Sequence, residues 1–158
     1  MQIDKELIPA LSEIDFINRY KKLSMDHRFG DDEAFEQYSN DIILEIVSSF
    51  GFKPKYYKRE NFFGIQEYNG DYTFEFNLSF KYGYVECIWG IQKKGERLTI
   101  GGPWGMIAQL LTQNYDESIK RPMFRNYEEL KDILSYSFEL FKDFKNEIIK
   151  NSIEDNSI

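Results

Sequence analysis

The chain has almost no cysteine or histidine: Cys87 and His27 are the single examples among 158 residues. A lone cysteine cannot close an intramolecular disulfide, and a zinc site made of cysteine and histidine needs more ligands than these two residues supply. We therefore expect no metal and no other cofactor. His27 lies in the polar stretch Asp26-His27-Arg28, which we interpret as a solvated loop rather than the place of a catalytic base.

Long apolar runs are also missing. No stretch approaches the roughly 18 apolar residues that a membrane-spanning helix requires. The first residues, M-Q-I-D-K-E-L-I-P, include acidic side chains and no apolar core, unlike a secretory signal. These features predict a cytoplasmic protein.

Basic residues are in deficit. The chain carries 20 Lys and Arg against 27 Asp and Glu, which gives a net charge of -7 and a pI near 4.9. Nucleic-acid-binding proteins are usually basic, because contacts to phosphate supply much of their affinity. The balance makes nucleic acid an unlikely partner and favours a partner protein that is itself basic.

Aromatic residues, by contrast, are abundant, with 14 Phe and 11 Tyr. A chain of this length fits one domain, and rings that each bury roughly 150–250 Å² can fill its core. We predict a single α+β domain over residues 1–150, followed by a frayed tail over 151–158. An antiparallel meander of about four to five strands should pack against two N-terminal helices and a long C-terminal helix.

Helical periodicity appears in three places. The first helix is predicted over about 5–23 and the second over about 33–50, and the two should form an antiparallel pair. The third begins with Asn126 as its cap and Glu129 three residues later, and should run to about Lys150. Their apolar stripes are Leu7, Leu11, Ile14, Ile17 and Tyr20; Phe35, Tyr38, Ile42, Ile46 and Phe50; and Tyr127, Leu130, Leu134, Phe138, Phe141, Phe144 and Ile148.

The middle of the chain has a period of two. Aromatic and aliphatic residues alternate with polar ones from Tyr72 to Tyr82, as in a strand with one buried face. Asn69-Gly70 before it is a strong hairpin signal, and Lys94-Gly95 predicts another turn after a strand that contains Val85, Cys87, Trp89 and Ile91. On that apolar face, Cys87 should be a buried and unreactive thiol.

The stretch Thr99 to Leu111 reads T-I-G-G-P-W-G-M-I-A-Q-L-L. A phosphate-binding P-loop needs Lys followed by Ser or Thr after its last glycine, and Met106-Ile107 stand there instead. We interpret the stretch as a structural elbow between a strand and a short helix. Trp104 on this bend is either wedged into the core or offered to a partner.

Three sets of charged residues are candidates for chemistry or binding. Glu67, Glu75 and Glu86 fall on neighbouring strands and could form an acid–base pair if two shared a face, although a solvated face explains them more simply. Lys53-Pro-Lys-Tyr-Tyr-Lys-Arg59 interleaves charge and ring as single-strand binders do, but also resembles a protected sheet edge. The loop that holds Lys120, Arg121 and Arg125 is either an anion clamp or a solvated connection.

In its general character the chain is similar to the small immunity proteins that bacteria encode beside polymorphic or contact-dependent toxins. The likeness rests on one compact acidic α+β domain, rich in Tyr and Phe, with G-G-P-W-G after a meander and no catalytic set. It implies a non-catalytic protein that binds one cognate toxin tightly and blocks its active site or its folding. The likeness carries over no individual functional residue.

A protein of this kind should present Tyr or Trp with carboxylates around them. The candidates for contact with the partner are Trp104, Tyr115 and Asp116 near the elbow, and Glu67, Tyr68 and Asp71 around the hairpin. The main alternative is a small-molecule-binding or carboxylate-based enzymatic domain, with Glu86 or Tyr84 lining a cavity between sheet and helices. A third possibility is a structural subunit that dimerises through a sheet edge or the long helix.

Overall fold

A computed structural model describes residues 1–156 and confirms the α+β class. Five antiparallel strands lie in chain order across one sheet, as a meander requires. The strands are β1 (Lys55–Tyr57), β2 (Phe62–Asn69), β3 (Tyr72–Ser79), β4 (Glu86–Lys93) and β5 (Glu96–Arg97). The helices are α1 (Ile8–Glu13), α2 (Phe16–Asp26), α3 (Asn40–Ser49), α4 (Trp104–Leu111) and α5 (Tyr127–Asn156), with short 3-10 helices at Asp31–Glu33 and Lys81–Gly83.

The predicted strand alternation is correct over β3 and β4. Phe74, Phe76 and Leu78 of β3 are buried, while the residues between them are only partly covered. Both predicted hairpins form: Gly70 takes a φ of 57° in the β2–β3 turn, and Lys94 and Gly95 take 52° and 80° between β4 and β5. The alternation fails at Tyr82, which lies beyond the strand in a 3-10 turn and is 72% exposed.

One face of the sheet is covered by α4 and α5. The predicted stripe of α5 is buried from Leu130 to Ile148, and the Phe144 ring stacks on Trp89 at 4.7 Å. The helix continues past its predicted end at Lys150 to Asn156. The last two positions of the predicted tail, 157 and 158, lie outside the described residues.

The N-terminal helices differ from the prediction in three ways. The first helix is broken at Asp15, whose φ of 55° separates α1 from α2 and turns the Phe16 ring onto Trp104 at 5.5 Å. The second begins only at Asn40, where the Ser39 hydroxyl accepts a hydrogen bond from the Ile42 N–H. The predicted antiparallel pair does not form, because α2 packs against α4 and α5 instead.

The late start of α3 also changes its buried face. Phe35 and Tyr38 precede the helix and pack on the Phe124 ring as loop residues. Ile42 was predicted to face the core but is 39% exposed. The residues that α3 does bury are Ile43, Ile46 and Val47.

Candidate binding surfaces

The elbow contains a buried tryptophan. Gly101 and Gly102 adopt φ values of 102° and 88°, which residues other than glycine rarely reach, and Pro103 then precedes α4. The bend directs Trp104 beneath the sheet, where its ring meets Trp89 edge to face at 5.1 Å and is 2% exposed. The structural-elbow interpretation is confirmed, and the prediction that Trp104 contacts a partner is wrong.

Tyr115 and Asp116, the other two candidates near the elbow, are engaged within their own loop and, for Asp116, also with α2. The half-buried Tyr115 hydroxyl donates to the Ile119 carbonyl at 3.4 Å. Asp116 accepts hydrogen bonds from Ser118 and pairs with Lys21 at 2.9 Å. The bonds from Ser118, followed by the contact with Lys21, hold the pKa of Asp116 well below its ordinary value.

The hairpin candidates divide between the two faces of the sheet. Glu67 points toward the covered face and forms an ion pair with Lys145 of α5. Tyr68 is 72% exposed, and its hydroxyl donates to Gln66 Oε1 at 2.9 Å. Asp71 is exposed in the turn, where its backbone carbonyl accepts from the Lys94 N–H at 2.7 Å. Tyr68 and Asp71 are therefore the two of the six predicted contact residues whose side chains are exposed and outside any ion pair.

The three strand carboxylates do not converge. Glu75 accepts two hydrogen bonds from Arg97, each at 3.0 Å, and Glu86 pairs with Arg121 at 3.2 Å. Glu86 lies opposite Ser79, four residues along β3 from Glu75, which is about 13 Å along the strand direction. Glu67 is on the other face.

The two side chains expected to line an interior cavity lie elsewhere. Glu86 is on the uncovered side of the sheet, and the Tyr84 hydroxyl donates to the Asp31 carboxylate outside the core. Rings fill the space between sheet and helices instead, with Phe76 touching Phe138 at 5.5 Å and Phe141 at 4.9 Å between centroids.

Cys87 and His27 have different surroundings. The Cys87 thiol is buried as predicted and donates to Ser137 Oγ at 3.8 Å, and burial raises its pKa to about 12. His27 ends α2 as a half-buried residue rather than the solvated one expected. Its Nδ1 is buried without a hydrogen-bond partner among the described residues, and burial lowers its pKa.

The basic loop before α5 does not form a clamp. Arg121 pairs with Glu86, whereas Arg125 reaches Glu129 at 2.9 Å and Glu33 at 3.6 Å. The Lys120 backbone N–H donates to Ser24 Oγ at 2.8 Å, which ties the loop to α2. The loop is a connection with locally paired charges.

Negative charge is concentrated in one part of the chain. Residues 29–52 contain six carboxylates and no Lys, Arg or His, so they hold six of the seven net negative charges. We call this the acidic surface; its members are Asp31, Asp32, Glu33, Glu36, Asp41 and Glu45, all exposed. Ile42 and Leu44, at opposite margins of the exposed side of α3, are 39% and 37% exposed. This clustering is visible in the sequence, in the absence of basic residues between Arg28 and Lys53.

The side of the sheet opposite the helices is hollowed rather than flat. We call it the open face. A first hollow of about 400 Å³ lies over β1, β2 and β3, with Gly64 at its floor. A second, of about 320 Å³, shares Phe62 and Asn77 with the first and extends to Tyr82 and Arg121. The two hollows thus adjoin across the sheet.

Glycines make room for the side chains of the open face. A Cβ on Gly64 would stand 2.9 Å from the Tyr57 ring, and one on Gly90 would stand 2.3 Å from Glu75 Oε2. Tyr57 stacks on its cross-strand partner Phe62 at 4.6 Å with an interplanar angle of 15°. The sequence could not reveal this hollow, because it depends on the pairing register of β1 with β2.

Comparison of the chain with protein-family models, curated proteins and solved structures gave no match. Among the described residues, no helix has the length and apolar character needed to cross a membrane. The acidic surface and the open face are therefore the features of the molecule that bear on its function.

Proposed function

We propose that the protein is a non-catalytic immunity protein of the bacterial cytoplasm, which binds and neutralises a basic toxin domain through the acidic surface. The observation that carries the proposal is the concentration of six carboxylates, without one basic residue, over residues 29–52. Such a patch raises the association rate of a positively charged partner and disfavours acidic ones.

Three carboxylates in α3 or shortly before it are available for a partner. Within residues 1–156, Glu36, Asp41 and Glu45 form no salt bridge, whereas Glu33 is shared with Arg125. An incoming Lys or Arg would therefore meet unpaired acceptors on one side of the molecule. No internal ion pair would have to break first, so little of the attraction would be lost.

Helix α3 also presents apolar side chains, and it is already held in place by its packing. Ile42 and Leu44 are partly exposed and flank the neighbouring carboxylates Asp41 and Glu45 on opposite sides of the helix, so apolar surface borders the charged groups. The helix is capped by Ser39 and anchored by its buried residues, so it needs little ordering on binding. Tyr68 and Asp71 at the hairpin are a second candidate contact.

The test uses the product of the gene adjacent to this one as the candidate partner. Calorimetry should give nanomolar affinity, and co-expression should restore growth of cells that make that product. The double variant Asp41→Lys/Glu45→Lys should weaken binding by about tenfold or more, mainly through slower association. The matched control, Glu13→Lys/Glu96→Lys, changes net charge equally at exposed sites, one in α1 and one in β5 at the sheet edge farthest from β1, and should bind normally.

Two results would contradict the proposal. One is the absence of binding at micromolar concentration by a wild-type protein that unfolds cooperatively. The other is an equal loss of affinity in the test and control variants, which would show that total charge rather than the acidic surface is recognised.

A further inference from the structure

A second surface carries the opposite charge. Residues 53–59 contain Lys53, Lys55, Lys58 and Arg59 and no carboxylate, and none of the four forms a salt bridge among the described residues. Lys53 and Lys55 line the first hollow, whereas the Glu75 carboxylate that also lines it is neutralised by Arg97. This side of the first hollow is therefore positive within an acidic protein.

Rings stand beside these cations. Tyr57 and Phe62 form a stacked pair in the first hollow, and Tyr68 reaches the same hollow with 72% of its surface exposed. The Lys55 Nζ lies 5.1 Å from the centre of the Tyr57 ring. These three rings are not part of the hydrophobic core, because the aromatic residues of the core point to the covered face.

From this geometry we infer that the open face binds single-stranded nucleic acid. Bases would stack on Tyr68 and on the Tyr57–Phe62 pair, because every base has an aromatic face to offer. The phosphates would follow Lys53 and Lys55 and the turn that carries Lys58 and Arg59. Unstacked single strands fit this description, whereas a duplex hides its bases from a sheet surface.

The hollows fit such a ligand in extent. Glycine at position 64 leaves the floor of the first hollow open, and the second hollow continues it past Phe62 and Asn77 toward Lys81. In the second hollow Glu86 is paired with Arg121. The other two charged residues of its lining, Lys81 and Glu60, carry opposite charges, so this hollow has no net charge. The positive end and the rings are at the first hollow, where we place the bases.

The α3 part of the acidic surface meets the sheet on its covered side, whereas Lys55 points to the open face. Asn40, which begins α3, donates to the Tyr56 hydroxyl at 3.1 Å, and Tyr56 points to the covered face. Its neighbours Lys55 and Tyr57 point to the open face. A local positive site is therefore present on a chain whose net charge is negative.

Fluorescence anisotropy with labelled oligo(dT) and oligo(U) of about 12 nucleotides tests the inference on the full chain. Four phosphate contacts predict a slope of log affinity against log salt near -3 for single strands. Lys53→Gln/Lys55→Gln should reduce that slope by about 1.4, whereas the matched control Lys142→Gln/Lys150→Gln, on exposed parts of α5, should leave it unchanged.

Stacking is tested separately from charge. Tyr68→Ala removes an exposed ring and should weaken binding about fivefold or more without altering the salt slope. Equal affinity for a duplex of the same length would overturn the inference, as would no binding at about 100 μM protein and low salt. If oligonucleotides fail to bind and Lys53→Gln/Lys55→Gln instead weakens a protein partner, the open face is a protein interface and the inference is wrong.

Discussion

Successive residues of the same strands point to opposite faces of the sheet, and the two faces differ in how their side chains pack. On the covered face, Phe76 has ring neighbours in Trp89, Trp104, Phe138 and Phe141, all within 6.1 Å between centroids. On the open face, its chain neighbour Asn77 borders both hollows. Two adjacent residues of β3 thus lie in different surroundings, one in dense aromatic packing and the other at an open depression.

The difference shows where stability and binding reside. Buried rings in contact contribute beyond their buried area, so the covered face should supply much of the free energy of folding. The open face is shaped by glycines, cross-strand ion pairs and exposed rings, whose removal costs little. Substitutions on opposite faces should therefore separate stability from binding.

The largest effect should come from Trp104→Ala on the covered side. Loss of a fully buried indole that contacts Trp89, Phe16 and Tyr20 should reduce the free energy of unfolding by about 3–5 kcal/mol. Urea denaturation followed by circular dichroism measures this change. A loss below about 1 kcal/mol would indicate that Trp104 is not a core residue and would reopen its role at a surface.

Trp104 also shows what local sequence cannot specify. Gly101, Gly102 and Pro103 predict a bend, and the bend is there. The direction in which the next side chain points depends on where α4 lies relative to the sheet, and that placement is set by contacts with Phe16 and Tyr20, far away in the chain. The type of local structure was predictable, but the exposure of its central residue was not.

The same distinction applies to the other elements. The alternation in β3 and the capping box of α5 are strong local signals, and both elements formed. The break at Asp15 has no such signal, because a left-handed residue that is not glycine is held by tertiary packing. Among the surfaces, the acidic one can be counted in the sequence, whereas the hollow over Gly64 requires the register that sets Tyr57 beside Phe62.

A smaller effect on the covered face involves Cys87 and pH. Its pKa is about 12 in the folded protein against an ordinary value of 9.0, so the unfolded chain releases the thiol proton first. Its contribution to stability is complete below pH 9 and is lost as the pH rises toward 12. From pH 8 to pH 10 the free energy of unfolding should fall by about 1 kcal/mol more in the wild type than in Cys87→Ala.

Taking the difference between Cys87→Ala and the wild type removes the contribution of other groups that titrate at alkaline pH. Burial also raises the pKa of Tyr20, but that side chain is present in both proteins. Denaturation at several pH values measures the difference. Parallel pH profiles for the two proteins would contradict a buried, protonated thiol.

On the open face, Gly90 and Glu75 should be coupled. An alanine at position 90 would place its methyl group against the Glu75 carboxylate and disturb the pair with Arg97. That pair is partly exposed, at 14% for Glu75 and 60% for Arg97, so Gly90→Ala should cost only about 0.5–1 kcal/mol. In a Glu75→Ala background the same change should be neutral or stabilising, since the obstacle is gone and alanine restricts the unfolded chain. A double-mutant cycle by urea denaturation measures the coupling, and additive effects would show that the glycine does not serve the ion pair.

The smallest effect on stability should be that of Tyr68→Ala. The ring is 72% exposed and its hydroxyl bonds only to Gln66 on its own strand, so the free energy of unfolding should change by less than about 0.5 kcal/mol. The variant is therefore the sharpest test of the contrast between the faces, because it should weaken oligonucleotide binding while keeping the wild-type denaturation midpoint. A loss of stability comparable to that of Trp104→Ala would mean that the open face also carries the fold. In that case, reduced binding by its variants could not be assigned to the missing ring.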